Sequence, residues 1–90
     1  MKIKILGPGC FRCHQLEKTT REAVKELGID ASIEEVTDIN EIIAYRILST
    51  PGLVLNGQLV CSGRVPTKAE ISKFITAALE KEGKSANQKI

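Results

Sequence analysis

The 90-residue chain has no tryptophan, one tyrosine and two phenylalanines, so aromatic residues make up only 3% of it. A surplus of charge is also missing, because 13 basic residues face 11 acidic ones. Nucleic-acid-binding domains typically combine a concentrated basic face with stacking aromatics, so we expect no nucleic-acid partner. No apolar run approaches the roughly 18 residues that suggest a membrane-spanning helix, so we expect no membrane partner either.

Cysteine is scarce as well, with only Cys10, Cys13 and Cys61 in the chain. This odd number argues against a framework of structural disulfides. The apolar stretch at residues 3–6 is short and interrupted, unlike the apolar region of a signal peptide, so we expect a cytoplasmic protein. In a reducing cytosol, a close pair of cysteines is more often catalytic or metal-binding than structural.

The residues that are abundant suit one compact domain. Hydrophobic residues make up 42% of the chain, and 90 residues are enough for one core but too few for two. We expect a single domain over residues 1–82 and a flexible polar tail over residues 83–90. Nothing in the sequence demands more than a monomer.

Hydrophobic periodicity and turn residues predict four strands and three helices. The strongest local signal is Asn56-Gly57 between two apolar runs, because a type I′ turn needs positive φ at both central residues. The predicted elements are a strand at 2–6, a helix at 11–27, a strand at 31–36, a short helix at about 39–48, hairpin strands at 52–55 and 58–61, and a last helix whose apolar stripe covers 71–79. In this βαβαββα order a helix joins the first two strands, which makes them parallel, and a tight turn makes the last two antiparallel. The predicted fold is an α/β domain with a four-stranded mixed sheet and three helices.

One motif carries chemistry, and it is Cys10-Phe11-Arg12-Cys13 at the junction of the first strand and the first helix. Two intervening residues place the sulfurs about one helical turn apart, within reach of a disulfide. The unpaired N–H groups and the positive end of the helix dipole at this junction favour the thiolate form of Cys10. Since the thiolate is the attacking species in disulfide exchange, we interpret Cys10 as the nucleophile and Cys13 as the resolving thiol.

The chain resembles the thioredoxin superfamily, and in particular the small thioredoxin-like redox-active disulfide proteins of archaea and bacteria. The resemblance covers almost the whole chain, from residue 2 to about residue 79. It is carried by residues 2–13 (KIKILGPGCFRC), 16–31 (LEKTTREAVKELGIDA) and 49–66 (STPGLVLNGQLVCSGRVP). It implies a thioredoxin-like fold and a thiol–disulfide oxidoreductase that reduces protein disulfides, with no bound cofactor and a flavin-dependent disulfide reductase as electron donor.

The same resemblance implies a role for Thr50 and Pro51. In that superfamily a cis-proline before the third strand faces the cysteine pair, and the residue before it offers backbone hydrogen bonds to an extended substrate. The resemblance also favours Gly63 as a bulge beside the active site over a simple turn. Phe11 and Arg12 are candidates for contact with the substrate, although the residues alone also allow Phe11 to fold back onto the domain and Arg12 to be simply solvated.

Other functions fit some of the same residues. A metal- or metalloid-binding module would use Cys10 and Cys13 with His14 or Cys61, although a zinc site normally takes four ligands and Cys61 lies on a separate element. The segment from Cys10 to His14 also matches the attachment pattern of c-type haem, but the only methionine is Met1, so the usual axial methionine is missing. A non-catalytic interaction domain is the remaining alternative. Without such functions, His14 is a surface bystander and Cys61 a small apolar residue.

Overall fold

A computed structural model of the chain describes residues 1–9, 11–47 and 49–87, with side chains described up to residue 81. The strands are β1 (Lys2–Leu6), β2 (Ser32–Val36), β3 (Gly52–Leu55) and β4 (Gln58–Ser62), and the helices are α1 (Phe11–Leu27), α2 (Ile39–Ala44) and α3 (Lys68–Asn87). This is the predicted βαβαββα order. The prediction of a thioredoxin-like α/β fold is therefore confirmed.

The four strands form one mixed sheet in the order β2-β1-β3-β4. Strand β1 pairs in parallel with β2 on one side and antiparallel with β3 on the other, and β3 pairs antiparallel with β4. Both predicted pairings, parallel for the first two strands and antiparallel for the last two, are confirmed. Strand β1 is central, so the residues that follow it lie in the middle of one edge of the sheet.

Two hydrophobic clusters pack on the two faces of the sheet. Along β1, Ile3 and Ile5 face α1 and α3, while Leu6 faces α2, because successive side chains of a strand point to opposite faces. The buried members of the first cluster are Ile3, Ile5, Leu16, Ala23, Leu53, Leu55, Ile71 and Ile75. The buried members of the second, smaller cluster are Leu6, Val36, Ile42 and Val54. Strands β1 and β3 contribute to both clusters.

The β3–β4 hairpin has the predicted turn. Asn56 and Gly57 both have positive φ, of 50° and 84°, as a type I′ turn requires. Asn56 also fastens the hairpin to β1. Its backbone N–H donates to the Lys2 carbonyl (2.8 Å), and its side-chain Oδ1 accepts from the Lys2 N–H (2.9 Å).

Helix α2 is shorter than predicted. It ends at Ala44, whereas the sequence predicted an end near residue 48. The cause is Arg46, whose φ of 58° lies in the left-handed region and whose N–H donates to the Ile43 carbonyl (2.8 Å), a helix-ending arrangement. The turn lets Ile47 pack against the second cluster. Proline restricts the backbone of only the residue directly before it, so Pro51 gave no signal for a helix end at Ala44. Leu48 lies outside the described residues.

Helix α3 starts at the predicted capping box. The Glu70 N–H donates to Thr67 Oγ1 and the Thr67 N–H donates to Glu70 Oε1, each at 3.2 Å, which pairs two N–H groups that the first turn would leave without partners. The helix continues to Asn87, past the expected domain boundary at residue 82, and residues 88–90 lie outside the described residues. The flexibility of residues 83–90 stays a prediction. Among the described helices, none is long and apolar enough to cross a membrane.

Candidate active site

The site lies at the edge of the sheet where β1 ends and β3 begins. Leu6, the last residue of β1, pairs with Gly52, the first residue of β3. The antiparallel pairing therefore brings the segment that leads into α1 next to the Thr50–Pro51 segment that leads into β3. Cys10 lies outside the described residues, so the geometry of the site is built from its neighbours.

Cys13 is buried in the first turn of α1, with 2% of its surface exposed. Its sulfur packs directly against the backbone of Gly7. A Cβ added to Gly7 would overlap the Cys13 Sγ, and it would lie 3.3 Å from the Cys13 Cβ and 3.9 Å from the Thr50 Cβ. Gly7 thus stands between Cys13 and Thr50, and the fold brings these two predicted site residues together.

The Thr50–Pro51 peptide bond is cis, which confirms the expected cis-proline. Pro51 is buried, and its carbonyl accepts a hydrogen bond from the Gly63 N–H at 2.9 Å. Gly63 has a φ of 79°, and a Cβ added there would lie 2.5 Å from Ser49 Oγ. The fold therefore also brings Gly63 to the proline, and a larger residue at 63 would be both strained and crowded.

The expectation of a bulge at Gly63 is wrong. The register between β3 and β4 shifts between Leu53 and Val54, which leaves Val60 as the extra residue of β4. Gly63 instead forms a bend directly after β4, where its positive φ turns the chain away from the sheet. The sequence could not separate the two possibilities, because a glycine suits a bulge and a bend equally well.

Phe11 and Arg12 lie on the first turn of α1 with their side chains exposed. Phe11 has 81% of its surface in solvent, the largest exposed fraction among the large hydrophobic residues described. This exposure excludes the alternative in which Phe11 folds back onto the domain. Both side chains are accessible beside the buried Cys13.

A cluster of titratable side chains on α1 and β2, which includes His14, was not predicted from the sequence. His14 Nδ1 lies 3.5 Å from Glu35 Oε1, and Arg21 donates to Glu17 Oε2 at 2.8 Å. The hydrogen bond between the carboxyl groups of Glu17 and Glu35 raises the pKa of Glu35 and lowers the pKa of Glu17. The hydrogen bond that Arg21 donates to Glu17 lowers the pKa of Glu17 as well. Glu35 is 18 residues from Glu17, so only the packing of α1 on β2 reveals the cluster.

Metal-binding potential in the described part of the chain rests on this same cluster. The ligand atoms of His14, Glu17 and Glu35 lie within 4.8 Å of one another, but Arg21 already neutralises one carboxylate. Neither Cys13 nor Cys61 belongs to such a group among the described residues. Cys61 lies on β4 and packs against the first hydrophobic cluster, in line with the simpler interpretation of it as a small apolar residue.

A mixed sheet of order β2-β1-β3-β4, a cysteine in the first turn of α1 and an adjoining cis-proline define a thioredoxin-like protein. The sequence model of the family described as "Thioredoxin domain" matches residues 1–76. A thioredoxin of Methanothermobacter thermautotrophicus is 47% identical over 76 residues, which cover 84% of this chain and 99% of that protein. A thioredoxin of Methanocaldococcus jannaschii is 41% identical over 78 residues, which cover 87% and 90%, respectively.

The chain belongs to the thioredoxin-domain family, and its function is that of a thiol–disulfide oxidoreductase. The resemblance seen in the sequence is thereby confirmed. Nothing in the comparisons favours the metal-binding alternative, and neither described cysteine belongs to a group of potential metal ligands.

Proposed function

We propose that Cys10 and Cys13 form the redox couple of this oxidoreductase, with Cys10 as the nucleophile and Cys13 as the resolving thiol. The observation that carries the proposal is the burial of Cys13 beneath an exposed first turn of α1. A buried sulfur is withheld from an approaching protein disulfide, so it suits the second, intramolecular step. Cys10, three residues earlier in the sequence, is then the sulfur that a substrate meets first.

The proposed cycle transfers two electrons. The Cys10 thiolate attacks one sulfur of the substrate disulfide, a Cys10–substrate bond forms, and the other substrate sulfur leaves as a thiolate and takes up a proton. Cys13 then loses its proton, and its thiolate attacks the Cys10 sulfur. The Cys10–substrate bond breaks, the second substrate thiolate is protonated, and the protein is left with a Cys10–Cys13 disulfide. An external dithiol or reductase returns the two electrons.

The proposed substrate surface combines the Thr50–Pro51 segment with the exposed side chains of the first turn of α1. Thr50 and Pro51 would meet an extended substrate segment, with backbone groups of Thr50 supplying hydrogen bonds. Gly63 supports the Thr50–Pro51 segment, because its N–H donates a hydrogen bond to the Pro51 carbonyl. Phe11 and Arg12 would contact the substrate protein from the α1 side, where both side chains are exposed.

Partners and location belong to the same proposal. We propose protein disulfides as substrates and a flavin-dependent disulfide reductase as the electron donor, since the cycle consumes one pair of electrons per disulfide. A cytoplasmic location suits a chain with an odd number of cysteines, none of which needs a permanent disulfide. A monomer is sufficient, because every proposed site residue comes from one chain.

The test is a redox titration in dithiothreitol buffers with thiols counted by mass spectrometry. We expect two thiols of the wild-type protein to disappear together at one potential, near the thioredoxin value of about −270 mV. Cys10→Ser and Cys13→Ser should each abolish this step. Cys13→Ser should also accumulate a mixed disulfide with a disulfide-bonded substrate, whereas Cys10→Ser should not.

Cys61→Ser is the matched control, because it removes a thiol that lies outside the proposed couple. It should keep the two-thiol step at the wild-type potential. If the step involved Cys61, or if no reversible step appeared, the assignment of the couple to Cys10 and Cys13 would fail.

A further inference from the structure

We propose that Gly7 is a positioning residue for the resolving thiol, because the Cys13 sulfur occupies the space that any larger residue at position 7 would fill. The inference rests on the proposed role of Cys13. Under this proposal, a residue outside the Cys10–Cys13 motif also determines how fast a mixed disulfide is released.

The backbone does not require glycine at position 7. The glycines with positive φ among the described residues are Gly9, Gly28, Gly57 and Gly63, and Gly7 is not one of them. Its N–H donates to the Val36 carbonyl at 2.9 Å, which extends the pairing of β1 with β2 by one residue. Alanine could adopt this conformation, so the reason for glycine is the space around it.

The Cys13 sulfur occupies the space beside Gly7. A Cβ at position 7 would overlap the Cys13 Sγ, with the Cys13 Cβ at 3.3 Å and the Thr50 Cβ at 3.9 Å. The Cys13 side chain has a single torsion to relieve the overlap, and a helix generally disfavours one of its three staggered positions. A methyl group at position 7 must therefore rotate the sulfur away or displace the first turn of α1.

Either response changes the resolving step. A disulfide forms only within a narrow range of Cα separations and torsion angles, and the Cys13 thiolate must reach the Cys10 sulfur while the substrate sulfur leaves. Rotation of the Cys13 sulfur leaves the first step intact, because that step uses Cys10. The effect of a larger residue at position 7 should thus fall on release of the mixed disulfide.

The direct test is Gly7→Ala, assayed by rapid quenching of single turnovers with a disulfide-bonded peptide and by mass spectrometry of the mixed disulfide. We expect the mixed disulfide to form at the wild-type rate and to resolve at least about tenfold more slowly, since a misplacement of about 1 Å can cost up to 100-fold. The redox potential of the couple should shift in the same variant. A variant that resolved the mixed disulfide at the wild-type rate would overturn the proposal.

Gly28→Ala is the matched control. Gly28 has a φ of 65°, and an added Cβ would meet nothing within 4 Å, so alanine there strains the backbone far from the sulfur. This variant should lose stability but resolve the mixed disulfide at the wild-type rate. If it slowed resolution as much as Gly7→Ala, the effect would be one of general destabilisation and the proposal would fail.

A double-mutant cycle tests the contact itself. The loss of unfolding free energy caused by Gly7→Ala should largely disappear in a Cys13→Ala background, because an alanine at position 13 has no sulfur to overlap. If Gly7→Ala alone does not fold, the double variant should fold, and failure of both would overturn the proposal. This cycle needs no catalysis, so its result is independent of whether wild-type protein shows the two-thiol step on which the proposed function depends.

Discussion

At the scale of single residues, Glu35 shows how the fold brings together groups of like charge. Its carboxyl group shares a hydrogen bond with that of Glu17, which raises the pKa of Glu35. A raised pKa means that the folded protein holds this proton more tightly than the unfolded chain does. The Glu35 contribution to stability is therefore most favourable at acid pH and is lost as pH rises through the raised pKa.

Glu35→Gln should therefore stabilise the protein at neutral pH. Glutamine keeps a donor for the Glu17 carboxylate without a second negative charge. We expect a gain in unfolding free energy of less than about 1 kcal/mol, because the pair is at the surface. The gain should fade as the pH falls through the raised pKa of Glu35, where the glutamate itself becomes protonated. Urea unfolding at pH 7.5 and pH 4 measures both values.

The control is Glu34→Gln, which removes the same charge from the neighbouring position of β2. It should not give the same gain in unfolding free energy at pH 7.5, because Glu34 does not belong to the group formed by His14, Glu17 and Glu35. A loss of stability at pH 7.5 in Glu35→Gln would mean that the contact of Glu35 with His14 outweighs the interaction between the two carboxyl groups.

Residue patterns in the sequence predicted some members of the candidate site and not others. Cys13 was recognisable from its spacing to Cys10, and the cis bond at Pro51 from a family resemblance. The proposed role of Gly7 and the contacts of Glu35 could not be predicted, because each depends on a partner that only tertiary packing brings near. A glycine that ends a strand has the same local sequence whether or not a sulfur rests against it.

At the scale of elements, α2 shows how one short helix is held to the sheet. Its neighbouring residues Ile42 and Ile43 differ sharply in exposure, at 2% and 60%. Ile42 packs with Leu6, Val36 and Val54 in the second cluster. With only six residues, the helix depends on this packing, because isolated helices of that length are unstable in water.

Ile42→Ala should destabilise the protein by about 2–5 kcal/mol, the usual cost of removing a buried isoleucine. Ile43→Ala makes the same chemical change one position along the helix, and it should alter stability by no more than about 0.5 kcal/mol. Both values come from urea unfolding monitored by circular dichroism. Equal losses in the two variants would show that burial in the second cluster is not what holds α2.

Local signals predicted the elements better than they predicted the ends of those elements. The bounds of β1, α1 and β3 agree with the prediction, because turn and capping residues near each of them act locally. The end of α2 was predicted too late, because an arginine in the left-handed region gives no signal in the sequence. That conformation accompanies the packing of Ile47 against the second cluster, which only the folded structure shows.

At the scale of the whole molecule, the two faces of the sheet carry separate clusters that share β1 and β3. The directions within the two strand pairs were predictable from a helical crossover and a tight hairpin, whereas the order β2-β1-β3-β4, which joins the pairs through β1 and β3, was not predicted. The distribution of the core between the faces was less predictable. It depends on which face each helix covers.

The shared strands predict that both faces unfold together. Tyr45 is the only tyrosine, the chain has no tryptophan, and Tyr45 packs on the α2 side, so tyrosine fluorescence reports on that face. Circular dichroism at 222 nm reports mainly on α1 and α3, which lie on the other face. We expect the two urea unfolding curves to coincide, as in two-state unfolding of a small domain. An earlier fluorescence transition would show that the α2 face opens separately.

The hydrogen bonds of Asn56 to Lys2 have a consequence at the far end of the same two strands. They lock β3 against β1 in the register that sets Leu6 opposite Gly52. A slip of two residues would leave every side chain on its own face of the sheet, yet it would move Pro51 by about 7 Å along β1. An asparagine in a turn at one end of the two strands thus sets the distance between the Cys13 sulfur and Pro51, which both lie at the other end.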